Sequence, residues 1–304
     1  MANKKNGGEI PVVPDQRVLW VPVGCGKCME CRKQKTRQWQ VRLQEDIRTN
    51  KNGKFVTFTF SDEELNKLEN EIKDLKGYER DNEVCRIAVR RYTERWRKKY
   101  KRTVRHWLVS EIGTTNTERV HLHGIIWSDQ VEDIAKIWKY GGVYIGTYVS
   151  AKTINYIVKY LNKTDKCHLE YKPKMFASQG IGKEYLNRPD AKRNIYKKEG
   201  TCETYKNRKG FEMGLPIYYR NKIYSEEERE KLWLEKLDKK ERWVDGERVD
   251  ISKGDKEYYK LLTEKRRKNK RLGYGDDSIN WERKYYEAQR RNVKKMERVK
   301  KLYG

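Results

Sequence analysis

The stretch "ERVHLHGIIW" at residues 118–127 carries two of the chain's four histidines, one residue apart, in a run that reads as a β-strand. Side chains alternate across a strand, so His121 and His123 project from one face and Leu122 and Gly124 from the other. Two neutral imidazoles placed this way can share a metal ion. The preceding apolar run, "TVRHWLVSEIG", reads as the partner strand of a hairpin closed by the polar turn "TTNTE". A turn about Asn116 and Thr117 sets Glu111 opposite His121, with Cβ atoms about 5 Å apart. One carboxylate and two imidazoles with open positions suit an octahedral Mg²⁺ or Mn²⁺ that still accepts phosphate oxygens.

A second constellation lies in "YIVKYLNK". On a helix Tyr156 and Tyr160 stand four apart, about 6 Å from one another, and face a single site. A tyrosine hydroxyl can attack a phosphodiester and leave a covalent phosphotyrosine when the phosphate is polarised. Lys159 and Lys163 are near enough to steady the charge. Tyrosines at this spacing usually pack a core; the His-x-His strand upstream in a strongly basic chain is what favours the nucleophilic reading.

These groups need a scaffold, and the sequence supplies one in order. Trp39, Leu43 and Ile47 in "TRQWQVRLQEDIR" recur every four residues and predict a helix. "KFVTFTF" alternates as a strand and is followed by Ser61 and Glu64, a capping box that starts a helix. In "NEVCRIAVRRYTERWRKKY", Cys85, Val89, Tyr92 and Trp96 share one helical face. After the hairpin, "VEDIAKIWKYG" reads as helix and "GVYIGTYV" as extended. Ser150 then caps a helix whose Ile154, Ile157, Val158 and Leu161 turn inward. The order β-α-α-β-β-α-β-α predicts an α+β fold with one antiparallel sheet flanked by helices. Residues 1–17 read as a flexible leader, 18–195 as the compact domain, and 196–304 as a basic, charge-rich helical arm.

Composition names the class of partner. In 304 residues, 71 Lys and Arg exceed 45 Asp and Glu by 26, a surplus that nucleic acid would neutralise. Nine Trp and 21 Tyr interleaved with those cations could stack unpaired bases. No apolar run approaches the roughly 20 residues of a membrane span, and the polar start "MANKKNGGEIPVVPD" has no signal-peptide core, so the protein is expected to stay soluble where it is made. None of the Gly-rich phosphate loops of nucleotide cofactors occurs. Six cysteines do not form a disulfide framework. Cys25, Cys28 and Cys31 cluster with C-x2-C-x2-C spacing, one ligand short of a structural Zn²⁺ site that Cys85, His106, Cys167 or His168 could complete. A basic nucleic-acid-binding protein with such a zinc and no catalysis is the rival reading, and it leaves the His and Tyr pairs unexplained.

Taken in order, "FVTFTF", "HLHGIIW" and "YIVKYLNK" resemble the three motifs of the HUH endonucleases, and more closely those of replication initiation proteins of gokushovirus-type microviruses. "CGKCMECRKQKTRQW" looks like that family's N-terminal cysteine segment and "PKMFASQGIGKEYL" like the stretch after its nucleophile helix, so the resemblance spans about residues 20–190. The charged turn before His121 departs from the proline-bearing form expected there. The two tyrosines and the cysteine segment set the chain apart from an HUH transposase or plasmid initiator. What the resemblance implies is an HUH-type sheet and rolling-circle initiation: metal-dependent nicking of origin duplex DNA, a 5′-phosphotyrosine, and rejoining of the displaced single strand. A host polymerase and helicase are the implied partners, in the bacterial cytoplasm.

Overall fold

A computed structural model describes residues 15–18, 24, 26, 29–113, 118–163, 167–168, 171–208, 210–245, 247–272 and 291. The chain divides into two compact units, Arg32–Tyr224 and a second made of Met1–Cys31 with Ser225–Gly304.

The larger unit is built from α1 (Met29–Thr49), most of which belongs to it, β1 (Gly53–Phe58), α2 (Asp62–Asn70), α3 (Gly77–Tyr100), β2 (Arg105–Ile112), β3 (Val120–Trp127), α4 (Val131–Ile137), β4 (Val143–Ile145), α5 (Ala151–Val158) and β5 (Met175–Ala177). The five strands form one sheet in the order β4-β1-β3-β2-β5, every neighbouring pair antiparallel. From β1 to α5 the elements follow the order read from the sequence. The short edge strand β5 was not foreseen, since three residues are too few to show an alternation.

Period-2 patterning gives the sheet two apolar faces. Val56, Phe58, Leu108, Leu122 and Ile126 meet the buried stripe of α3, formed by Cys85, Val89, Tyr92 and Trp96, together with Trp138 beyond α4. Stacking of Phe58 on Trp138, with centroids 4.4 Å apart, adds about 1 kcal/mol to the burial of both rings. On the opposite face Trp107, Val109, Ile125 and Trp127 pack against Leu43 of α1 and against Ile154, Ile157, Val158 and Leu161 of α5 and the 3-10 turn after it, Lys159–Leu161.

Local signals in the sequence set the helix starts. The Ser61 hydroxyl accepts the Glu64 N–H, and Ser150 forms a full reciprocal box with Thr153. At the centre of the sheet, a Cβ on Gly124 would lie 2.0 Å from the Trp107 carbonyl oxygen and 2.8 Å from Leu108 Cα, so only glycine lets β2 and β3 approach so closely.

The segment read as the start of a basic arm contributes to this unit. Tyr205, in β6 (Thr204–Lys206), is buried and donates its hydroxyl proton to Glu45 of α1. Strand β6 pairs with β7 (Glu212–Gly214), and Tyr219 in α6 (Ile217–Ile223) donates to the Gly182 carbonyl at 2.8 Å. The smaller unit contains α7 (Glu226–Asp238), the ribbon of β8 (Glu241–Val244) with β9 (Glu247–Asp250), and α8 (Lys256–Arg271). Residues 196–304 are therefore not wholly helical: two short antiparallel ribbons interrupt the helices where Trp243, Val244 and Val249 favour strand over a sparse helical stripe. No helix among the described residues is long and apolar enough to cross a membrane.

Candidate active site

The β2–β3 register pairs Glu111 with His121 and Val109 with His123. Both imidazoles therefore stand on the α5 face of the central strand, beside the carboxylate of its neighbour. The Nε2 atoms of His121 and His123 lie 3.2 and 3.0 Å from the same Glu111 oxygen, Oε2. All three side chains are largely shielded from solvent, at 18%, 12% and 13% exposure. Among the described residues these three are the one group of His, Cys, Asp or Glu able to converge on a metal ion, with ligand atoms within 4.8 Å of one another.

The outer nitrogens are anchored. His121 Nδ1 lies 3.3 Å from the Arg119 carbonyl, which can only accept, so Nδ1 carries the proton there and Nε2 faces the carboxylate. His123 Nδ1 is 3.0 Å from the Thr57 hydroxyl of β1, and its ring stacks on Tyr160 with centroids 4.6 Å apart. Fixing the far nitrogen of each ring while the near nitrogens point at one carboxylate oxygen is the arrangement that orients metal-bound histidines. The donor set, two imidazole nitrogens and a carboxylate with access from the α5 side, fits Mg²⁺ or Mn²⁺.

Glu111 experiences opposed effects. Burial pushes its carboxyl upward, but hydrogen bonds from His121, His123 and Lys163 outweigh this and hold it well below the usual carboxylate range. Its other oxygen, Oε1, accepts from Lys163 Nζ.

The tyrosine pair arrives on α5 and the 3-10 turn after it. Tyr160 donates its hydroxyl proton to the Tyr156 oxygen at 2.6 Å. The two differ in setting: Tyr156 is 51% exposed, whereas Tyr160 is buried at 8%. Burial first, then the bond to Tyr156 and the Glu111 charge, push the Tyr160 phenol well above its ordinary range. Helix α5 is fixed to α1 by the Gln40 and Gln44 amides, which donate to Asn155 Oδ1 at 2.8 and 3.3 Å.

The fold thus gathers five of the six residues singled out from the sequence: His121, His123, Glu111, Tyr156 and Tyr160. Lys159 is exposed and is not among the groups bonded to this cluster. Lys163, a further turn along, holds the position beside the carboxylate. Thr57 and Phe55 escaped the sequence reading, although "FVTFTF" put them on one face of β1; only the pairing Thr57↔His123 reveals that this face is the site's. Of the proposed zinc ligands, Cys25 and Cys28 lie outside the described residues. Cys31 is partly exposed, Cys85 is sealed in the core with its thiol pushed far up by burial, and His106 bonds the Val104 carbonyl and Ser178.

Residues 53–165, from β1 through the tyrosine turn and therefore spanning every group of this site, match the family model of the replication-associated protein ORF2 type. Over 232 residues, 67% of this chain and 68% of the relative, the chain is 29% identical to replication-associated protein ORF2 of Spiroplasma virus 4. No solved structure matches the chain.

Proposed function

We propose that this protein is the rolling-circle replication initiator of a single-stranded-DNA phage, an HUH-type nickase and strand transferase. The observation that carries the reading is the stacking of Tyr160 on His123 beside the His121–His123–Glu111 cluster, which puts two phenols and a phosphate-polarising site in one place. The similarity to replication-associated proteins and the charge surplus of 26 support DNA as substrate.

When bound by His121, His123 and Glu111, Mg²⁺ or Mn²⁺ supplies Lewis acidity to the scissile phosphate. The chain's own residues do the rest. A tyrosine oxygen attacks phosphorus, the P–O3′ bond breaks, and the phenol's proton ends on the departing 3′ oxygen. One phosphodiester is exchanged for another, so the reverse step rejoins a strand without a nucleotide cofactor. The free 3′ hydroxyl is what a host polymerase, with its helicase, would extend. Lys163 keeps Glu111 ionised and places positive charge beside the site. Two tyrosine hydroxyls 2.6 Å apart let one hold the parental 5′ end while the other cuts the regenerated origin.

His121→Ala and His123→Ala should each abolish covalent adduct formation on an origin oligonucleotide with Mn²⁺ present, while DNA binding, which rests on cations elsewhere, persists. Full nicking by the double variant in EDTA would overturn the assignment.

A further inference from the structure

Six residues before Glu111, at the other end of β2, a second concentration of positive charge has no part in the chemistry above. A cleft of about 570 Å³ is lined by Arg42, Arg105, Lys183 and Lys222, with Gln179 and Tyr218 in its wall. No acidic side chain lines it. Its cations are not equivalent. Arg105 is answered by the buried Asp46 carboxylate of α1. Lys183 and Lys222 are exposed, Lys183 with only a long 3.7 Å approach to Glu184.

Arg42 is the telling group. Its guanidinium lies between two rings, 4.0 Å from the centroid of Trp39 and 4.0 Å from that of Tyr218. Its Nε donates to the Ile181 carbonyl at 3.0 Å. No carboxylate pairs with it among the described residues, and burial pulls its affinity for the proton down. A half-buried guanidinium without a counter-ion is costly unless an anion arrives. Held rigid between two rings, it has already lost the side-chain entropy that binding would otherwise take, and its fork suits a phosphate.

The loop beneath it is fixed in advance. Gly180 and Gly182 take positive φ of 70° and 74°. Gly182 N–H donates to Asp46 Oδ1 at 2.8 Å, and its carbonyl accepts from Tyr219. A Cβ at Gly182 would stand 2.5 Å from the Arg42 carbonyl oxygen, so the loop can lie this close to α1 only as glycine. The segment "SQGIGKEYL" is thus shaped to carry Lys183 to the rim of the cleft.

We propose that this cleft is a holding site for the phosphates of single-stranded DNA, separate from the site of cleavage. Arg105 and Glu111 are both odd-numbered positions of β2 and share the α5 face. Six residues at roughly 3.3 Å set them about 20 Å apart. That span is within the ~4–16 nucleotides a single-strand site commonly covers. A strand cut beside Tyr156 can then be retained through Arg42, Lys183 and Lys222 while its free end awaits rejoining. Mixed cationic, aromatic and amide lining matches backbone contact with base stacking. The holding role rests on the nicking reading; the binding itself does not.

The test uses the full-length protein in EDTA, where cleavage plays no part, and fluorescein-labelled oligothymidylate as probe. Lys183→Gln with Lys222→Gln should weaken binding and make the log-affinity against log-salt slope shallower by about 1.4, since each phosphate contact to a single strand contributes about 0.7. Adding Arg42→Gln should bring the change to about 2. Both lysines are exposed, so the double variant keeps its circular dichroism and carries the test even if Arg42→Gln unfolds the chain. An unchanged affinity and slope in the double variant would overturn the proposal. So would loss of duplex binding with oligothymidylate binding intact. Displacement of the probe by inorganic pyrophosphate at its own affinity for the cleft would make this a small-anion pocket and overturn it as well. Absence of any adduct in the wild-type protein with Mn²⁺ would sink the nicking reading and leave these binding results standing.

Discussion

The hydrogen bond between the two tyrosines makes them unequal, and the inequality can be measured. Tyr160 donates to the Tyr156 oxygen, so Tyr156 is an acceptor whose own proton is free to leave. As Tyr156 attacks, charge builds on that oxygen and the bond from Tyr160 strengthens. A hydrogen bond to a charged group contributes about 1.5–3 kcal/mol, equivalent to about ten- to a hundredfold in rate. Tyr160→Phe keeps the ring stacked on His123 and removes only the donor. It should therefore slow adduct formation by that factor. Tyr156→Phe leaves Tyr160 as nucleophile, buried at 8% and with its phenol harder to ionise, so the adduct should form more slowly still but not vanish. The double Phe variant should form none. The assay is single-turnover attachment to a labelled single-stranded origin oligonucleotide, resolved on a denaturing gel, with the modified tyrosine identified by peptide mass. Wild-type attachment by Tyr156→Phe together with none by Tyr160→Phe would refute the reasoning, making Tyr160 the first nucleophile and its partner a bystander.

Two further outcomes follow from the same geometry. Because the folded protein holds Glu111 below the ordinary carboxylate value of about 4.3, its ionised form contributes stability that is fully present above that pH and is lost as pH falls further; urea denaturation from pH 6 downward should show Glu111→Gln losing less stability with acid than wild type, and parallel curves would contradict this. Gly124→Ala should cost about 3 kcal/mol or more, since its methyl would meet backbone, and thermal melting of this variant within a degree of wild type would show that β2 and β3 can separate freely.

The legibility of the fold in the sequence depended on contact range. Helix starts at Ser61 and Ser150 and the stripe of α3 are local, decided within a few residues, and were readable. The His121–Glu111 pairing was readable because a hairpin makes a long-range contact nearly local. The Thr57–His123 contact was not, because β1 and β3 are 66 positions apart at that point and no turn fixes their register. Tyr205 and Tyr219 escaped for a different reason: each is a lone aromatic in a charged segment, and their burial follows from Glu45 and Gly182, more than 30 residues away. Lys159 was a reasonable choice from helical spacing, but α5 gives way to a tighter 3-10 turn at that residue, which leaves Lys159 exposed and Lys163 on Glu111.

That last detail ties the two halves of the site together. Glu111 divides its oxygens: Oε2 faces both imidazoles, while Oε1 accepts from Lys163, three residues beyond Tyr160. The histidines stand on the central strand of a five-stranded sheet with each outer nitrogen anchored, so they belong to the least deformable part of the unit. The tyrosines ride on an eight-residue helix that ends in a single 3-10 turn, the part most able to shift. One carboxylate thus reports the state of the rigid half to the mobile half. Whatever draws electron density from Oε2 weakens Oε1 as an acceptor and loosens Lys163, and with it the end of the segment that carries Tyr160. An exchange of roles between two tyrosines needs a segment that moves by less than a helical turn about a fixed phosphate, and a single shared carboxylate is sufficient to couple that movement to occupancy of the site.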